Sequence, residues 1–176
     1  VVHGDIWAEV PRLLLFSGAM LRPGIAESIA AFERREGCEV ATQYNGCGLL
    51  VSLMKAGTWP DAYVSCHRSF LDAVADCFQQ PRALTENDMV ILVAKGNPRQ
   101  VRGLADLGRE ELRIGLADPD KSALGELARR MIVRAGLWSA VDAGADVYSP
   151  TGDILVNQVL TGSLDAAVVY RSNVLA

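Results

Sequence analysis

Histidine and cysteine are scarce in this sequence, which has two histidines and four cysteines among 176 residues. Two histidines leave little capacity for general acid–base catalysis, and no serine, histidine and acidic residue follow one another in a convincing catalytic order. The cysteines also lack the C-x-x-C spacing that is typical of metal motifs. These absences favour a protein that is not an enzyme and that needs no cofactor.

Clusters of basic residues and long apolar runs are missing as well. The net charge is -4 at pH 7 and no run of lysines or arginines occurs, which argues against nucleic acid and anionic membrane surfaces as partners. The longest apolar candidate, residues 13–16, has the length of a strand rather than of a membrane span. The start of the chain, VVHGDIWAEVPR, contains no basic segment followed by an apolar stretch. We therefore expect any signal peptide to have been removed or to lie outside this sequence.

Hydrophobic residues, by contrast, make up 50% of the chain, enough to bury a substantial core as one domain or as two small lobes. Apolar runs of strand length alternate with segments of helical periodicity. Such alternation predicts an α/β fold with a parallel sheet. The predicted strands cover residues 13–16, 40–44, 62–65, 89–94, 113–117, 146–148 and 166–170. Of these, we expect 90–94, 114–116 and 166–169 to be buried strands of one sheet that is packed on both faces.

Small, hydroxylic or glycine-containing loops follow most of the predicted strands, and nearly all of them open a helix. They read SGAM at 17–20, NGCG at 45–48, SCH at 65–67, SALG at 122–125 and SPTGD at 149–153. In α/β proteins, ligands bind at the carboxyl ends of the strands. A helix start offers unpaired N–H groups and the positive end of the helix dipole, so these loops predict an anion site. Ordinary helix caps are the alternative interpretation.

The stretch QYNGCGLLV, residues 43–51, places a cysteine between two glycines where a strand gives way to a helix. Glycine permits a sharp turn and lets a ligand approach the backbone closely. We expect residues 46–48 to form the first turn of a helix whose free N–H groups point into the ligand site. An anion site does not require the thiol of Cys47, which therefore needs a separate explanation.

A series of segments between residues 13 and 170 carries a resemblance to a known family. The segments are FSGAMLRPGIAESIAAFERREGCEV, YNGCGLLVSLMKAG, PDAYVSC, MVILVAKGNP, LADL, IGLADPDKSALG and DAAVVY. In this order they resemble the molybdate-type periplasmic solute-binding proteins, the receptor subunits of ABC importers. The resemblance implies the periplasmic-binding-protein type II fold, an α/β fold with two lobes, two crossover segments and a ligand cleft between the lobes. It assigns residues 1–80 and the returning segment 166–176 to lobe 1, and residues 81–165 to lobe 2.

The function that this resemblance implies is capture of a small oxyanion, of the molybdate or tungstate kind, for import. It implies a small anionic ligand, the membrane component of an ABC transporter as partner, and a periplasmic or extracytoplasmic location. The family binds tetrahedral oxyanions with hydroxyls and backbone N–H groups and without metal. A sensory or effector-binding module is an alternative, because this fold also serves receptors and regulators.

Carried over position by position, the resemblance implies a ligand site with two departures from the family. The two ligand serines of the family fall on Met20 and Cys47, whereas its ligand tyrosine matches Tyr170. The complete predicted set is Ser17, Gly18, Ala19, Met20, Gly46, Cys47, Gly48, Ser65, Leu124, Gly125, Thr151, Gly152 and Tyr170. Because two hydroxyls are replaced while the backbone donors remain, we expect a specificity that differs from that for molybdate.

By the topology that the resemblance implies, Cys47 and Cys66 lie at the cleft ends of neighbouring elements, with His67 beside them. One interpretation is a pair of disulfides in an exported protein, Cys47–Cys66 and Cys38–Cys77. A second is a soft-metal site formed by Cys47, Cys66 and His67. Free thiols that line the cleft, or a thiol enzyme that pairs Cys47 or Cys66 with His67, are the remaining alternatives.

Members of the family continue past the matching tyrosine with elements that complete the first lobe, whereas this sequence ends at Ala176. The first lobe is therefore predicted to lack its C-terminal part. We expect an incomplete lobe to expose apolar surface and to favour self-association.

Overall fold

A computed structural model describes residues 9–79 and 81–175, which form an α/β fold with two sheets. Residues 1–8, 80 and 176, which the predicted lobes include, lie outside the described residues. The strands are β1 (Arg12–Gly18), β2 (Glu39–Asn45), β3 (Ala62–Val64), β4 (Met89–Val93), β5 (Ile114–Ala117), β6 (Ala145–Ser149) and β7 (Ala166–Tyr170). The helices are α1 (Arg22–Glu36), α2 (Cys47–Lys55), α3 (Arg68–Asp72), α4 (Ala123–Arg134), α5 (Trp138–Ala143), α6 (Gly152–Leu160) and α7 (Ser172–Leu175).

The first three strands form a parallel sheet in the order β2-β1-β3, which we call the first lobe together with α1, α2 and α3. The central strand β1 buries Phe16 among side chains of α2, including Leu50 and Met54. Helix α1 ends where Gly37 adopts a φ of 65°, a left-handed conformation that glycine takes without a steric penalty. Because the three strands are parallel, their carboxyl ends lie along one edge of this lobe.

The other four strands form a sheet in the order β4-β7-β5-β6, which we call the second lobe together with α4, α5, α6 and α7. Strands β5, β6 and β7 run parallel, and β4 is antiparallel to β7. The expectation that residues 166–176 return to the first lobe is therefore wrong, since Ala166 pairs with Ile114 inside the second sheet. Within the described residues the chain passes from the first sheet to the second once, between β3 and β4, rather than crossing twice.

The second sheet is packed on both faces, as its apolar strands predict. Strands β5 and β7 are buried along their whole length. Successive residues of β7 face opposite sides, so that Val168 packs with Ile132 of α4 and Val169 packs with Leu155 of α6. The predicted buried strands at β5 and β7 are confirmed. Strand β4 joins the same sheet but is only half-buried, because it lies at the edge with a single neighbouring strand.

The helices are short, and several of them begin where a strand has just ended. Helix α1 has 15 residues and α4 has 12. Over residues 9–79 and 81–175, no helix is long and apolar enough to cross a membrane. The helices cover the sheets, and α2, α4 and α6 place their first turns beside the carboxyl ends of the strands.

Candidate functional site

A small cavity lies between the two lobes at the carboxyl ends of the parallel strands. Its volume is about 20 Å³, which is room for one water molecule. The lining contains no Lys, Arg, His, Asp or Glu; the first lobe supplies Ala19, Met20, Asn45, Gly46, Cys47 and Cys66, and the second supplies Ser122, Ala123, Leu124, Pro150, Thr151, Gly152 and Tyr170. The lobes touch beside the cavity, where the N–H of Gly48 donates a hydrogen bond to the carbonyl oxygen of Lys121 at 3.0 Å.

Three helices, α2, α4 and α6, begin at this cavity. Their N-cap residues are Gly46, Ser122 and Thr151, and none of the three makes a side-chain hydrogen bond to the helix that it caps. The first N–H groups of a helix have no partner within the helix, and the helix dipole adds a partial positive charge there. The fold therefore directs three positive helix ends at one small volume, an arrangement that suits an anion.

On its second-lobe side the cavity is lined by three residues that carry hydroxyl groups, Ser122, Thr151 and Tyr170, which we call the hydroxyl wall. The Tyr170 residue is 4% exposed, and its phenolic oxygen has no hydrogen-bond partner among the described residues. Burial raises the pKa of Tyr170, so the phenol stays neutral and keeps its proton to donate. An unpaired buried hydroxyl costs about 1–3 kcal/mol, which a ligand oxygen at this point would offset.

The end of β7 is held so that Tyr170 faces the cavity. The N–H of Tyr170 donates to Oδ1 of Asn173 at 3.2 Å, and Nδ2 of Asn173 donates to Oδ1 of Asp153 at 2.7 Å. Asp153 lies in the first turn of α6, so this chain of hydrogen bonds ties the strand end to the helix that begins at the cavity.

On its first-lobe side the cavity is lined by three sulfur-containing residues, Met20, Cys47 and Cys66, which we call the thiol wall. The N–H of Cys66 donates a hydrogen bond to Sγ of Cys47 at 3.3 Å, which places the two cysteines side by side. Gly18 makes this proximity possible, because a Cβ there would overlap Sγ of Cys66 and lie 3.3 Å from Sγ of Cys47. Cys47 and Cys66 therefore point toward each other, as the sequence predicts.

The two thiols differ in acidity because they share one proton. The neighbouring side chain of Cys66 lowers the pKa of Cys47 to about 6, against the opposing effect of burial. The same contact, together with burial, raises the pKa of Cys66. Near neutral pH the pair therefore consists of one thiolate and one thiol. The thiol wall then carries one negative charge, which repels an anionic ligand.

All four cysteines are free thiols in the structure. The expected Cys47–Cys66 disulfide is not formed, since these neighbours share hydrogen bonds instead of a covalent bond. The expected Cys38–Cys77 disulfide is not formed either; Cys38 is half-buried just before β2, and Cys77 is exposed in a short 3-10 turn. The interpretation of free thiols that line the cleft is the one that fits Cys47 and Cys66.

His67 does not complete a metal site with the thiols. Its Nδ1 accepts a hydrogen bond from the N–H of Ser69 at 3.2 Å and lies 2.9 Å from Oγ of the same residue, so the ring caps the start of α3. In the part of the chain that the structure describes, no group of three His, Cys, Asp or Glu side chains is placed to hold a metal ion. The predicted soft-metal site of Cys47, Cys66 and His67 is therefore wrong, because the imidazole is committed to the helix cap.

The NGCG turn begins α2 as predicted, with Gly46 as the N-cap and Cys47 as the first helical residue. The expectation that all its N–H groups point freely into the cleft is wrong for Gly48, whose N–H is bonded to the carbonyl oxygen of Lys121. A Cβ on Gly46 would overlap that same oxygen and lie 2.6 Å from the carbonyl oxygen of Pro150. The missing side chain of Gly46 is therefore what lets the two lobes meet here.

The cavity brings together eight of the thirteen residues in the predicted ligand set. Those that line it are Ala19, Met20, Gly46, Cys47, Leu124, Thr151, Gly152 and Tyr170. Those that lie outside its lining are Ser17, Gly18, Gly48, Ser65 and Gly125. Ser17 is fully buried and its hydroxyl donates to the carbonyl oxygen of Gly18 at 3.3 Å, while Ser65 donates to the carbonyl oxygen of His67 at 2.8 Å.

The structure adds lining residues that the predicted set omits: Asn45, Cys66, Ser122, Ala123 and Pro150. Ser122 is the chemically important addition, because it supplies a hydroxyl from a residue that is only 5% exposed. The signal that could have found it is its position immediately before α4, where a polar residue normally caps the helix. Its side chain makes no such cap, which leaves the hydroxyl available to the cavity.

A larger, open depression of about 410 Å³ lies on the surface of the second lobe, lined by Pro98, Arg99, Gln100, Arg102, Asp106 and Arg109. Arg99 is paired with Asp165 at 3.3 Å. Arg109 is paired with Glu111 at 2.8 Å. Because these arginines already have acidic partners and the depression lacks the strand ends and helix starts of the interlobe cavity, it is not the candidate site.

Comparison with known proteins identifies relatives of the same kind as the resemblance. The molybdate-binding protein ModA of Mycobacterium bovis is 29% identical over 168 residues, which cover 93% of this chain and 62% of that protein. The periplasmic molybdate-binding protein of Azotobacter vinelandii has a TM-score of 0.69 at 16% identity, covering 90% of this chain and 71% of that one. The sulfate-binding protein SubI of Mycobacterium tuberculosis has a TM-score of 0.72 at 17% identity, covering 91% and 64%.

The two structural comparisons show that the fold is that of periplasmic binding proteins, which confirms the predicted fold class. The chain spans 62% of the length of the ModA relative, so it corresponds to a part of that protein. The family model described as bacterial extracellular solute-binding protein matches residues 13–176, and the chain therefore belongs to that family.

Proposed function

We propose that this chain is the ligand-binding part of an extracytoplasmic receptor that captures a small inorganic oxyanion between its lobes and presents it to an ABC importer. The observation that carries the proposal is the buried hydroxyl of Tyr170, which has no hydrogen-bond partner among the described residues and belongs to a residue lining a cavity where three helices begin. Membership of a family of binding proteins supports a role in capture rather than catalysis.

The chemistry of the cavity favours an anion that is held by neutral donors. Its lining contributes hydroxyls from Ser122, Thr151 and Tyr170 and the first turns of α2, α4 and α6. Hydrogen bonds from neutral N–H and O–H groups to an anion are charge-assisted and stronger than neutral ones. Helix starts therefore supply both the donors and the favourable potential without any Lys or Arg.

Ligand capture requires a movement of the lobes. A cavity of about 20 Å³ holds one water, whereas a tetrahedral oxyanion is larger. The lobes must separate to admit the ligand and settle around it afterwards, the hinge motion by which binding proteins of this kind work. The hydrogen bond between Gly48 and Lys121 is a contact that such a movement breaks and remakes.

Molybdate, tungstate, sulfate and phosphate are the oxyanions to test first. The relatives named above are described as molybdate-binding and sulfate-binding proteins, which supports this class of ligand for the present chain. The thiolate of Cys47 in the thiol wall argues that the affinity for a dianion is lower near neutral pH than at more acidic pH. Membership of an extracellular binding-protein family supports a periplasmic or extracytoplasmic location.

The proposal is tested by titrating the reduced protein with these four oxyanions at pH 5.5 and pH 7.5 and following the thermal unfolding midpoint and the heat of binding. A ligand that binds only the native state raises the midpoint by mass action. The matched variant is Tyr170→Phe, which removes only the unpartnered hydroxyl. We expect about a tenfold loss of affinity for the bound oxyanion, since a hydrogen bond to a charged group contributes about 1.5 kcal/mol.

Without ligand, Tyr170→Phe is expected to be at least as stable as the parent protein, because the removed hydroxyl has no partner to lose. This separates an effect on binding from an effect on folding. If none of the four oxyanions shifts the midpoint at either pH, or if Tyr170→Phe binds as tightly as the parent, the proposed function is wrong.

A further inference from the structure

We propose that the interlobe cavity takes a trivalent, thiol-seeking oxyacid, of which arsenous and antimonous acid are the representatives, and that Cys47 and Cys66 bind its central atom through two sulfur bonds. This proposal rests on the proposed function, because it names a ligand class for the same cavity. It differs in the bonding, since tetrahedral oxyanions are held by hydrogen bonds alone.

The geometry places the two sulfurs where one atom can bridge them. Both cysteines line the cavity, and the N–H of Cys66 reaches Sγ of Cys47 at 3.3 Å. A Cβ on Gly18 would overlap the sulfur of Cys66 and lie 3.3 Å from that of Cys47, so both sulfurs converge on the same small volume. The two sulfurs form no disulfide, and the imidazole of His67 caps α3 instead of contacting them, so both sulfurs are available to a ligand.

The bonding step is balanced without any change in oxidation state. The thiolate of Cys47 attacks the trivalent centre of X(OH)₃, where X is arsenic or antimony, and one hydroxyl leaves as water after taking a proton from solvent. The sulfur of Cys66 then displaces a second hydroxyl, and the proton of the Cys66 thiol leaves with it as a second water. The product is (RS)₂X–OH, formed from X(OH)₃ and two thiols with release of two waters, so no oxidant or reductant is needed.

The charge and shape of this ligand class match the two walls of the cavity better than a dianion does. Arsenous and antimonous acid are neutral at neutral pH, so a thiolate does not repel them, and their soft trivalent centres prefer sulfur ligands. The third hydroxyl of the bound centre faces Ser122, Thr151 and Tyr170 across the cavity. The unpartnered oxygen of Tyr170 then gains a hydrogen-bond partner, which it lacks in the structure.

The test uses the full chain in a Cys38→Ser/Cys77→Ser background, which keeps only the two cavity thiols. The protein is reduced with a phosphine rather than a dithiol, because dithiols compete for the probe. Sodium arsenite is the probe, and native mass spectrometry is the readout. Capture by two thiols adds arsenous acid minus two waters, whereas capture by one thiol adds arsenous acid minus one water.

We expect a single adduct that has lost two waters, formed at equimolar arsenite. Cys47→Ser and Cys66→Ser, each made in the same background, are expected to bind arsenite about 100-fold more weakly, because the second bond of a two-point attachment forms at high effective concentration. Circular dichroism spectra of the variants check that they remain folded. A wild-type chain that binds arsenite with the same stoichiometry shows that Cys38 and Cys77 contribute nothing.

Absence of the two-water adduct, or arsenite binding that survives either single substitution unchanged, overturns the proposal. Molybdate titration of the same samples separates this outcome from failure of the proposed function. If molybdate raises the unfolding midpoint while arsenite forms no adduct, the ligand class inferred here is wrong and oxyanion capture stands. If arsenite forms the adduct, the inference holds whether or not molybdate binds.

Discussion

The two walls of the cavity are built on the same backbone plan but carry different chemistry. Each wall includes the first turn of a helix that begins at the carboxyl end of a parallel strand, α2 in the first lobe and α4 and α6 in the second. The hydroxyl wall then adds three neutral O–H groups, whereas the thiol wall adds the thiols of Cys47 and Cys66 and the thioether of Met20. The capacity to hold an anion therefore comes from the backbone, while the choice among ligands comes from the side chains.

The walls also differ in whether their side chains already make hydrogen bonds in the absence of a ligand. In the thiol wall, the sulfur of Cys47 already accepts a hydrogen bond from the N–H of Cys66 before a ligand arrives. In the hydroxyl wall, Ser122 and Thr151 do not cap their helices, and the phenolic oxygen of Tyr170 has no hydrogen-bond partner within residues 9–79 and 81–175. The hydroxyl wall is therefore expected to respond to a ligand by gaining hydrogen bonds, and the thiol wall by a change in the protonation of its cysteines.

The largest effect is expected where the walls meet, in the variant Gly46→Ala. A Cβ at this position would overlap the carbonyl oxygen of Lys121, a backbone atom that cannot rotate away. Overpacking of this kind costs about 1–3 kcal/mol, which corresponds to roughly 5- to 150-fold weaker oxyanion binding in calorimetry because the lobes cannot come together. Gly24→Ala is the matched control, since a Cβ there meets nothing within 4 Å. Equal affinity in the two variants would show that contact between the lobes does not matter for binding.

An intermediate effect is expected from Cys47→Ser, which gives the thiol wall a hydroxyl and removes its charge. At pH 8 the parent carries a thiolate at Cys47, so the variant is expected to bind molybdate about tenfold more tightly. Near pH 5.5 the parent thiol is largely protonated and the advantage shrinks. Calorimetric titrations across this pH range, with Cys77→Ser as the control, measure the difference. A parent and a variant with parallel pH profiles would mean that no thiolate forms at Cys47.

The same ionisation predicts how the stability of the reduced, unliganded protein depends on pH. The folded pKa of Cys47, about 6, lies below its ordinary value of 9.0, so the unfolded chain binds more protons between these values. The free energy of unfolding therefore rises from pH 6 to pH 9, by about 3 kcal/mol, and this contribution is lost as the pH falls through 6. Urea unfolding of the parent and of Cys47→Ser measures it, and a rise of equal size in both would contradict the assignment to Cys47.

The smallest effects are expected from Ser122→Ala and Thr151→Ala, made one at a time in the hydroxyl wall. Each removes one neutral donor, so oxyanion affinity is expected to fall about threefold to tenfold. The unfolding midpoint should barely move, because neither side chain makes the hydrogen bond whose loss normally costs about 1 kcal/mol at an N-cap. A clear drop in the midpoint with unchanged affinity would reassign these hydroxyls to helix capping.

Sequence patterns predicted the elements and the loops of this fold well, for reasons that are local. Apolar runs locate β5 and β7, and Gly37 ends α1 because only glycine takes its left-handed conformation without cost. Polar and glycine residues after each strand place the helix starts α2 and α6 at the cavity. The resemblance then supplied Tyr170, whose unpartnered oxygen no periodicity could have indicated.

The positions that were predicted wrongly depend on contacts between residues far apart in the sequence. Strand β7 was expected in the first lobe, but it pairs with β4 and β5 in the second sheet. The residue pattern of a single strand does not indicate which strands it will pair with. His67 was expected beside the thiols, but Ser69 turns its ring toward α3. Ser65 and Gly48 were expected to face the ligand, and both are satisfied by backbone groups instead.

The α/β alternation, the apolar strands and the helix starts that suit an anion follow from residue type and spacing along the chain, and sequence patterns therefore predict them. Which loops share the cavity, and how their side chains are used, depends on the packing of the two lobes. That packing brings Cys47 and Cys66 into contact, leaves the phenolic oxygen of Tyr170 without a hydrogen-bond partner among the described residues and places Ser122 in the lining of the same cavity. The physical reason is that acidity and hydrogen bonding depend on burial and on neighbours across the cavity, which packing of the two lobes sets and sequence spacing does not.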